Sequence, residues 1–148
     1  MHLSRAGPMT GQYLTRNRKG YVMDKALYDK GLEIRRETLG DAYVDAALAN
    51  ADDFGRDCQE MVTSYCWGAT WGREGLDRKT RSTINIAMLA TLNRQHELAA
   101  HIRGAVNNGV TAEEIKEILL QVGVYAGVPA MVDSFRIARS VLSEMGKI

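Results

Sequence analysis

Between His101 and Pro129 the chain is punctuated so closely that only a run of helices fits it. Asn107, Asn108 and Gly109 close one helix, because Gly and, less often, Asn take the left-handed conformation that helix ends require. Thr111 then offers a hydroxyl to the free amides of the next helix, and Glu114 three residues on completes a capping box. Ile115, Ile118, Leu119, Val122 and Ala126 recur at helical spacing and predict one buried stripe. Gly127 ends that helix, and Pro129 suits the first turn of another, where its missing N–H costs nothing.

The same reading extends along the chain. Asp24 to Leu39 has helical composition, with Leu27, Leu32, Ile34 and Leu39 loosely periodic. Gly40 stops that helix, and Asp41 is expected to cap a short successor through Leu48. A break at Asn50 to Asp53 precedes a helix from about Asp53 to Trp67. Phe54, Cys58, Met61 and Tyr65 form one stripe of it, and Glu60, Ser64 and Trp67 the adjacent one. Gly68, Gly72 and Gly75, around Trp71 and Arg73, predict a loop presenting an exposed aromatic. Asp77 is expected to cap a helix through Leu92 whose buried face is Ile84, Ala87, Met88 and Thr91, extended at its start by Arg81. In the following helix Leu98, Ile102, Ala105 and Val106 point inward, with His101 at the edge of the stripe. The last helix, about Val128 to Met145, uses Met131, Val132, Phe135, Ala138, Val141 and Leu142. No segment shows the alternation of a strand. The expected fold is all-α, a single domain of six or seven helices.

At 148 residues the chain is long enough to bury a real core as one domain. A net charge of +1 argues against nucleic acid as a partner, and no apolar run approaches the roughly 20 residues of a membrane helix. Cys58 and Cys66 supply neither a disulfide framework nor metal-ligand spacing, which points to a reduced, cytoplasmic protein and no metal. The charge is unevenly placed. Residues 1–22 hold Arg5, Arg16, Arg18 and Lys19 with no acid, a net of +4, against −3 for the remainder. This segment reads as a flexible basic arm ahead of a helical domain at 23–148. It lacks the apolar core of a secretory signal and only distantly suggests a transit peptide. A start at Met23, or packing of the arm on a partner subunit, accounts for it more simply.

His101 is the best single candidate for chemistry. Imidazole can exchange a proton near neutral pH, and a place on the rim of a buried face lets burial tune it, with Glu97 one turn earlier available to hold its other nitrogen. Spacing alone equally allows a core-edge histidine bonded to a carbonyl. Arg81 on an apolar face can grip a carboxylate with its planar fork, or pair with an acid of a neighbouring helix. Glu60 is either a buried acid with a raised pKa or half of a structural ion pair. Trp67 and Trp71 can wall a pocket or simply fill the core. Gln121 and Tyr125 can donate to a substrate, whereas His2 and His96 look solvent-exposed and take no role. No phosphate loop, nucleotide fingerprint, nucleophile elbow or HExxH is present.

Several blocks after the arm carry a family likeness. They are Gly31 to Arg36, Leu39-Gly40-Asp41, Gly75 to Ser82, His101-Ile102-Arg103, Asn107 to Thr111, Glu114 to Glu117 and Tyr125 to Ala130, with Tyr65 to Gly68. With them the chain, from Tyr28 to about Met145, resembles the carboxymuconolactone decarboxylase family of the alkylhydroperoxidase D-like superfamily. The peroxidase branch of that superfamily places a CxxC pair just before the histidine. Here those positions are Arg94 and Glu97, and the acid that assists the thiols would fall at Ser82. Without the thiolate nucleophile, peroxide reduction is not expected. The resemblance implies instead a cofactor-free decarboxylation of 4-carboxymuconolactone to 3-oxoadipate enol-lactone, in the protocatechuate branch of the β-ketoadipate pathway. It implies Arg81 as carboxylate anchor and His101 as donor of a proton or of a hydrogen bond to the enolate oxygen. Glu60 would orient the histidine or shuttle the proton, and Trp67, Gln121 and Tyr125 would line the pocket. Such proteins typically assemble as homo-oligomers, trimers or hexamers. Another unsaturated lactone or β-keto acid as substrate, or a non-catalytic oligomer that binds a small acid, stands as the alternative.

Overall fold

The structure, a computed structural model, describes residues 14–16 and 22–148. Helices dominate: α1 (Lys25–Leu39), α2 (Asp41–Ala49), α3 (Arg56–Met61), a π-helical segment (Val62–Trp71) continuing α3, α4 (Arg78–Thr91), α5 (Gln95–Asn107), α6 (Ala112–Ala126) and α7 (Val128–Glu144). The all-α expectation holds. Two three-residue strands, β1 (Leu14–Arg16) and β2 (Val22–Asp24), pair antiparallel with Leu14 opposite Asp24. Pairings this short leave no periodic signal in a sequence, which is why none was expected. The flexible arm expected over residues 1–22 falls largely outside the described residues, as does His2. Among the described residues no helix is long and apolar enough to cross a membrane.

The helix boundaries follow their chemistry. Asp24 accepts from the Leu27 amide and Asp77 from the Thr80 amide, each capping its helix. Thr111 and Glu114 form the full capping box, with Glu114 N to Thr111 Oγ1 at 3.1 Å and Thr111 N to Glu114 Oε2 at 2.8 Å. Gly127 (φ 103°) separates α6 from α7, and Pro129 sits in the first turn of α7. Asp41 does not cap α2: Gly40 holds that position, and the Asp41 carboxylate is drawn to Arg36 at 3.1 Å.

Two hydrophobic clusters organise the interior. The larger joins α4 to α7 through Ile86, Leu98, Ile102, Ile115, Leu119 and Val141. The smaller joins α1, α2 and the π segment through Ile34, Leu39, Val44, Trp67 and Trp71. Where α1 crosses the π segment the backbones nearly touch. A Cβ on Gly31 would sit 2.0 Å from the Thr63 carbonyl oxygen, and one on Gly68 2.3 Å from that of Leu27. Only glycine fits either place.

The two stripes beside Trp67 are now assigned, and two expectations are corrected. Phe54 (96% exposed), Cys58, Met61 and Tyr65 face outward, and the adjacent stripe, Ser64 and Trp67 with Thr63, Gly68 and Trp71, faces in. Glycine at 68 permits the close crossing that larger side chains would block, and π-type bonding changes the spacing so that a 3.6-residue period does not carry through. Trp71 therefore belongs to a helix and is buried, not displayed on a loop. On α4 the core face is Ser82, Ile86 and Ala90, while Ile84 and Met88 are 40% and 48% exposed and Thr91 is exposed too. That helix is apolar on two sides, and periodicity alone does not tell which one meets the core.

Candidate active site

The π segment and α5 bring three rings together. Trp67 and Trp71 stack on each other with centroids 4.7 Å apart. His101, from the middle of α5, lies parallel to Trp67 (6.0 Å, 2°) and 6.2 Å from Trp71. These separations suit offset aromatic stacking. The four-residue step from Trp67 to Trp71 puts both indoles on one side of the segment, and Ala100 packs into the same cluster beside His101.

From α4, Asn85 Nδ2 approaches His101 Nδ1 at 3.4 Å. An amide N–H donated there needs a bare Nδ1, which leaves the ring proton on Nε2. Burial pushes the imidazole down to about 4, with the Glu97 carboxylate acting in the opposite direction. At neutral pH His101 is therefore uncharged. Glu97 is exposed and makes no hydrogen bond to the ring, so the orienting role expected of it falls to Asn85.

Arg81 stands one turn before Asn85 on the same side of α4. Its Nη2 donates to the Arg73 carbonyl at 3.1 Å, and its Nε is buried without a partner. No carboxylate pairs with it among the described residues, and residues 1–22 contain none. Glu60 and Ser64 continue the Trp67 stripe toward α3, and Glu60 Oε2 and Ser64 Oγ are likewise buried without partners. Buried polar atoms normally find partners, so the unpartnered atoms of Arg81, Glu60 and Ser64 are candidates for contact with a polar guest.

Gln121 and Tyr125 are not part of this group. Both are exposed on α6, in a groove of about 380 Å³ bordered by Thr83, Ala87 and Ile118. Thr83 and Ala87 face away from the side of α4 that carries Arg81 and Asn85. Asn85 is the residue that sequence reasoning did not name, whereas Trp71 was named there as a possible pocket wall. The signal was present in the four-residue steps from Arg81 to Asn85 and from Trp67 to Trp71.

The sequence model of the Carboxymuconolactone decarboxylase family matches residues 56–140. The chain is similar to a 4-carboxymuconolactone decarboxylase of Acinetobacter baylyi, 42% identical over 123 residues that cover 83% of this chain and 92% of that protein. It is 39% identical, again over 83% of its length and over 86% of the relative, to a nitrosuccinic acid decarboxylase of Metarhizium robertsii. A 4-carboxymuconolactone decarboxylase of Pseudomonas putida is 44% identical over 45 residues, 30% of this chain and 94% of that one.

Proposed function

The chain belongs to the carboxymuconolactone decarboxylase family, and from that premise we propose a cofactor-independent carboxy-lyase that converts 4-carboxymuconolactone to 3-oxoadipate enol-lactone. The observation that carries the reading is a neutral, ring-stacked His101 whose partner Asn85 shares one side of α4 with the unpaired cation of Arg81. Decarboxylation of this substrate needs no external electron sink. As the C–CO2 bond breaks, its electron pair flows through the ring double bond to the lactone carbonyl oxygen. A proton added to the carbon beside that carbonyl then gives the enol-lactone. The protein must hold the carboxylates, stabilise the dienolate oxygen and supply one proton.

Arg81 holds a substrate carboxylate through charge-assisted hydrogen bonds. His101, neutral with its proton on Nε2, donates to the developing oxyanion, and a donor fixed on developing charge contributes a large share of such a barrier reduction. Glu60, with one carboxylate oxygen unpartnered, moves the proton. Trp67 and Trp71 shield the reacting carbons from water, and Gln121 and Tyr125 border a separate groove on α6. Exposed Met88, Leu92, Val124, Tyr125 and Val128 support assembly of copies into a trimer or hexamer, and the composition suits the cytoplasm.

The test is a spectrophotometric assay with enzymatically generated 4-carboxymuconolactone, in EDTA and with nothing else added. Turnover that falls about 100-fold in Arg81→Ala supports the reaction and the anchor together. No turnover by a folded sample refutes this substrate. Nitrosuccinate, named for one relative and also a diacid, is then the next compound to assay.

A further inference from the structure

Arg35 is only 5% exposed, in the C-terminal half of α1, yet no carboxylate among the described residues pairs with it. Both of its hydrogen bonds leave from Nη1, to Gln59 Oε1 at 2.9 Å and Thr63 Oγ1 at 3.1 Å, and both acceptors are neutral. The opposite edge of the guanidinium is unused: Nε is buried without a partner, and Nη2 makes no hydrogen bond among the described residues. Burial lowers its pKa, and the side chains that act against this, Tyr43, Tyr28, Cys66 and Cys58, include no Asp or Glu. Residues 1–22 bring no Asp or Glu, so no acid of the arm can neutralise it. The next residue is the contrast. Arg36 is partly exposed and pairs with both Asp41 and Asp45.

A buried cation with no counter-charge is costly, and a chain that simply needed to fill this place would do better with an apolar side chain. The free Nε–Nη2 edge is two parallel donors, the shape that receives both oxygens of one carboxylate. The position is held firmly. Ile34, next in the chain, packs with Trp67 and Trp71, and the Gly31 contact fixes α1 on the π segment that supplies Thr63.

We propose that Arg35 is a second carboxylate-binding residue, which takes through its Nε–Nη2 edge the carboxylate that the substrate keeps, while Arg81 serves the part of the substrate nearer His101. The diacid named here rests on the decarboxylase reading, whereas the binding edge does not. A carboxylate remote from the reacting carbon is bound equally in the ground and transition states, so its loss shows in KM and not in kcat.

Two measurements on the whole chain test this, with Arg35→Lys and Arg35→Met beside the wild type. The first is the kinetics of 4-carboxymuconolactone turnover. Arg35→Met is expected to raise KM about 10- to 100-fold with kcat within about threefold, and Arg35→Lys to recover part of the loss. The second is binding of glutarate and of its monomethyl ester, followed by NMR titration, which needs no turnover. The wild type is expected to prefer the diacid about tenfold or more, and Arg35→Met to lose that preference while keeping affinity for the half-ester. If Arg35→Met does not fold, Arg35→Lys carries both measurements. Unchanged KM and unchanged diacid preference in a folded variant overturn the proposal and leave Arg35 a structural bonder of Gln59 and Thr63. Absent turnover with the glutarate preference lost in the variant refutes the substrate and retains the site.

Discussion

The two hydrophobic clusters differ in kind. The one joining α4 to α7 is aliphatic, with Ile86, Ile102 and Leu119 fully buried, and none of its side chains carries a polar atom. The one joining α1, α2 and the π segment holds both tryptophans, and α1 and the π segment carry Arg35 Nε, Thr38 Oγ1 and Ser64 Oγ buried without partners, against Arg81 Nε alone on α4 to α7. Polar satisfaction is what a cluster gains when it has only stability to serve. The aliphatic cluster thus reads as the foundation, and the tryptophan cluster as the place where stability yields to binding.

The division is open to attack at several points. His101→Gln, at the edge of the tryptophan cluster, is expected to lower kcat by about 10²- to 10⁴-fold with little loss of stability, in steady-state assays paired with thermal melts. Retained turnover would remove the histidine from the chemistry. Leu119→Ala, in the aliphatic cluster, is expected to do the reverse, costing about 2–5 kcal/mol in denaturant titration while the folded fraction keeps its kcat.

A subtler probe is pH. The His101 pKa is lowered from 6.5 in the unfolded chain to about 4 in the fold. Between those values only the unfolded state binds the extra proton, so acidification from 6.5 toward 4 costs the fold about 3 kcal/mol relative to neutral pH, where the uncharged ring incurs no such cost. Denaturant titrations from pH 4.5 to 7.5 should show this slope in the wild type and less of it in His101→Gln. The smallest effect is expected at Tyr125, which is 84% exposed and outside both clusters. Tyr125→Ala should shift the stability of the single chain by no more than about 0.5 kcal/mol. A light-scattering measurement on the same variant reports whether copies of the chain meet there.

The same division explains what could be read from the sequence. The foundation was legible because its signals are local: the Thr111–Glu114 capping box, the Asp77 cap, the Gly127 break and the inward faces of α5 and α6 follow from neighbours within one or two turns. The tryptophan cluster was read less well. Its inward stripe depends on π-type hydrogen bonding and on the crossing at Gly31 and Gly68, and neither leaves a 3.6-residue period. α4 misled for another reason, since both its Ile86 face and its Ile84–Met88 face are apolar and only tertiary contact distinguishes them. His101, Arg81, Glu60 and Trp67 were named from their chemistry. The stacking of His101 on both tryptophans, and its approach to Asn85, required the fold.

The crossing at Gly31 and Gly68 bears on how such a pocket can be re-specified. Where two helices meet through side chains, each substitution resets their spacing, and every pocket wall attached to them drifts. Here main chain rests on main chain, so the indoles keep their distance from α1 whatever rotamers lie nearby. Under the proposed reading, changes of size or polarity at Ser64 should therefore alter which acid fits without displacing the frame that holds it, while substitution of either glycine should displace it.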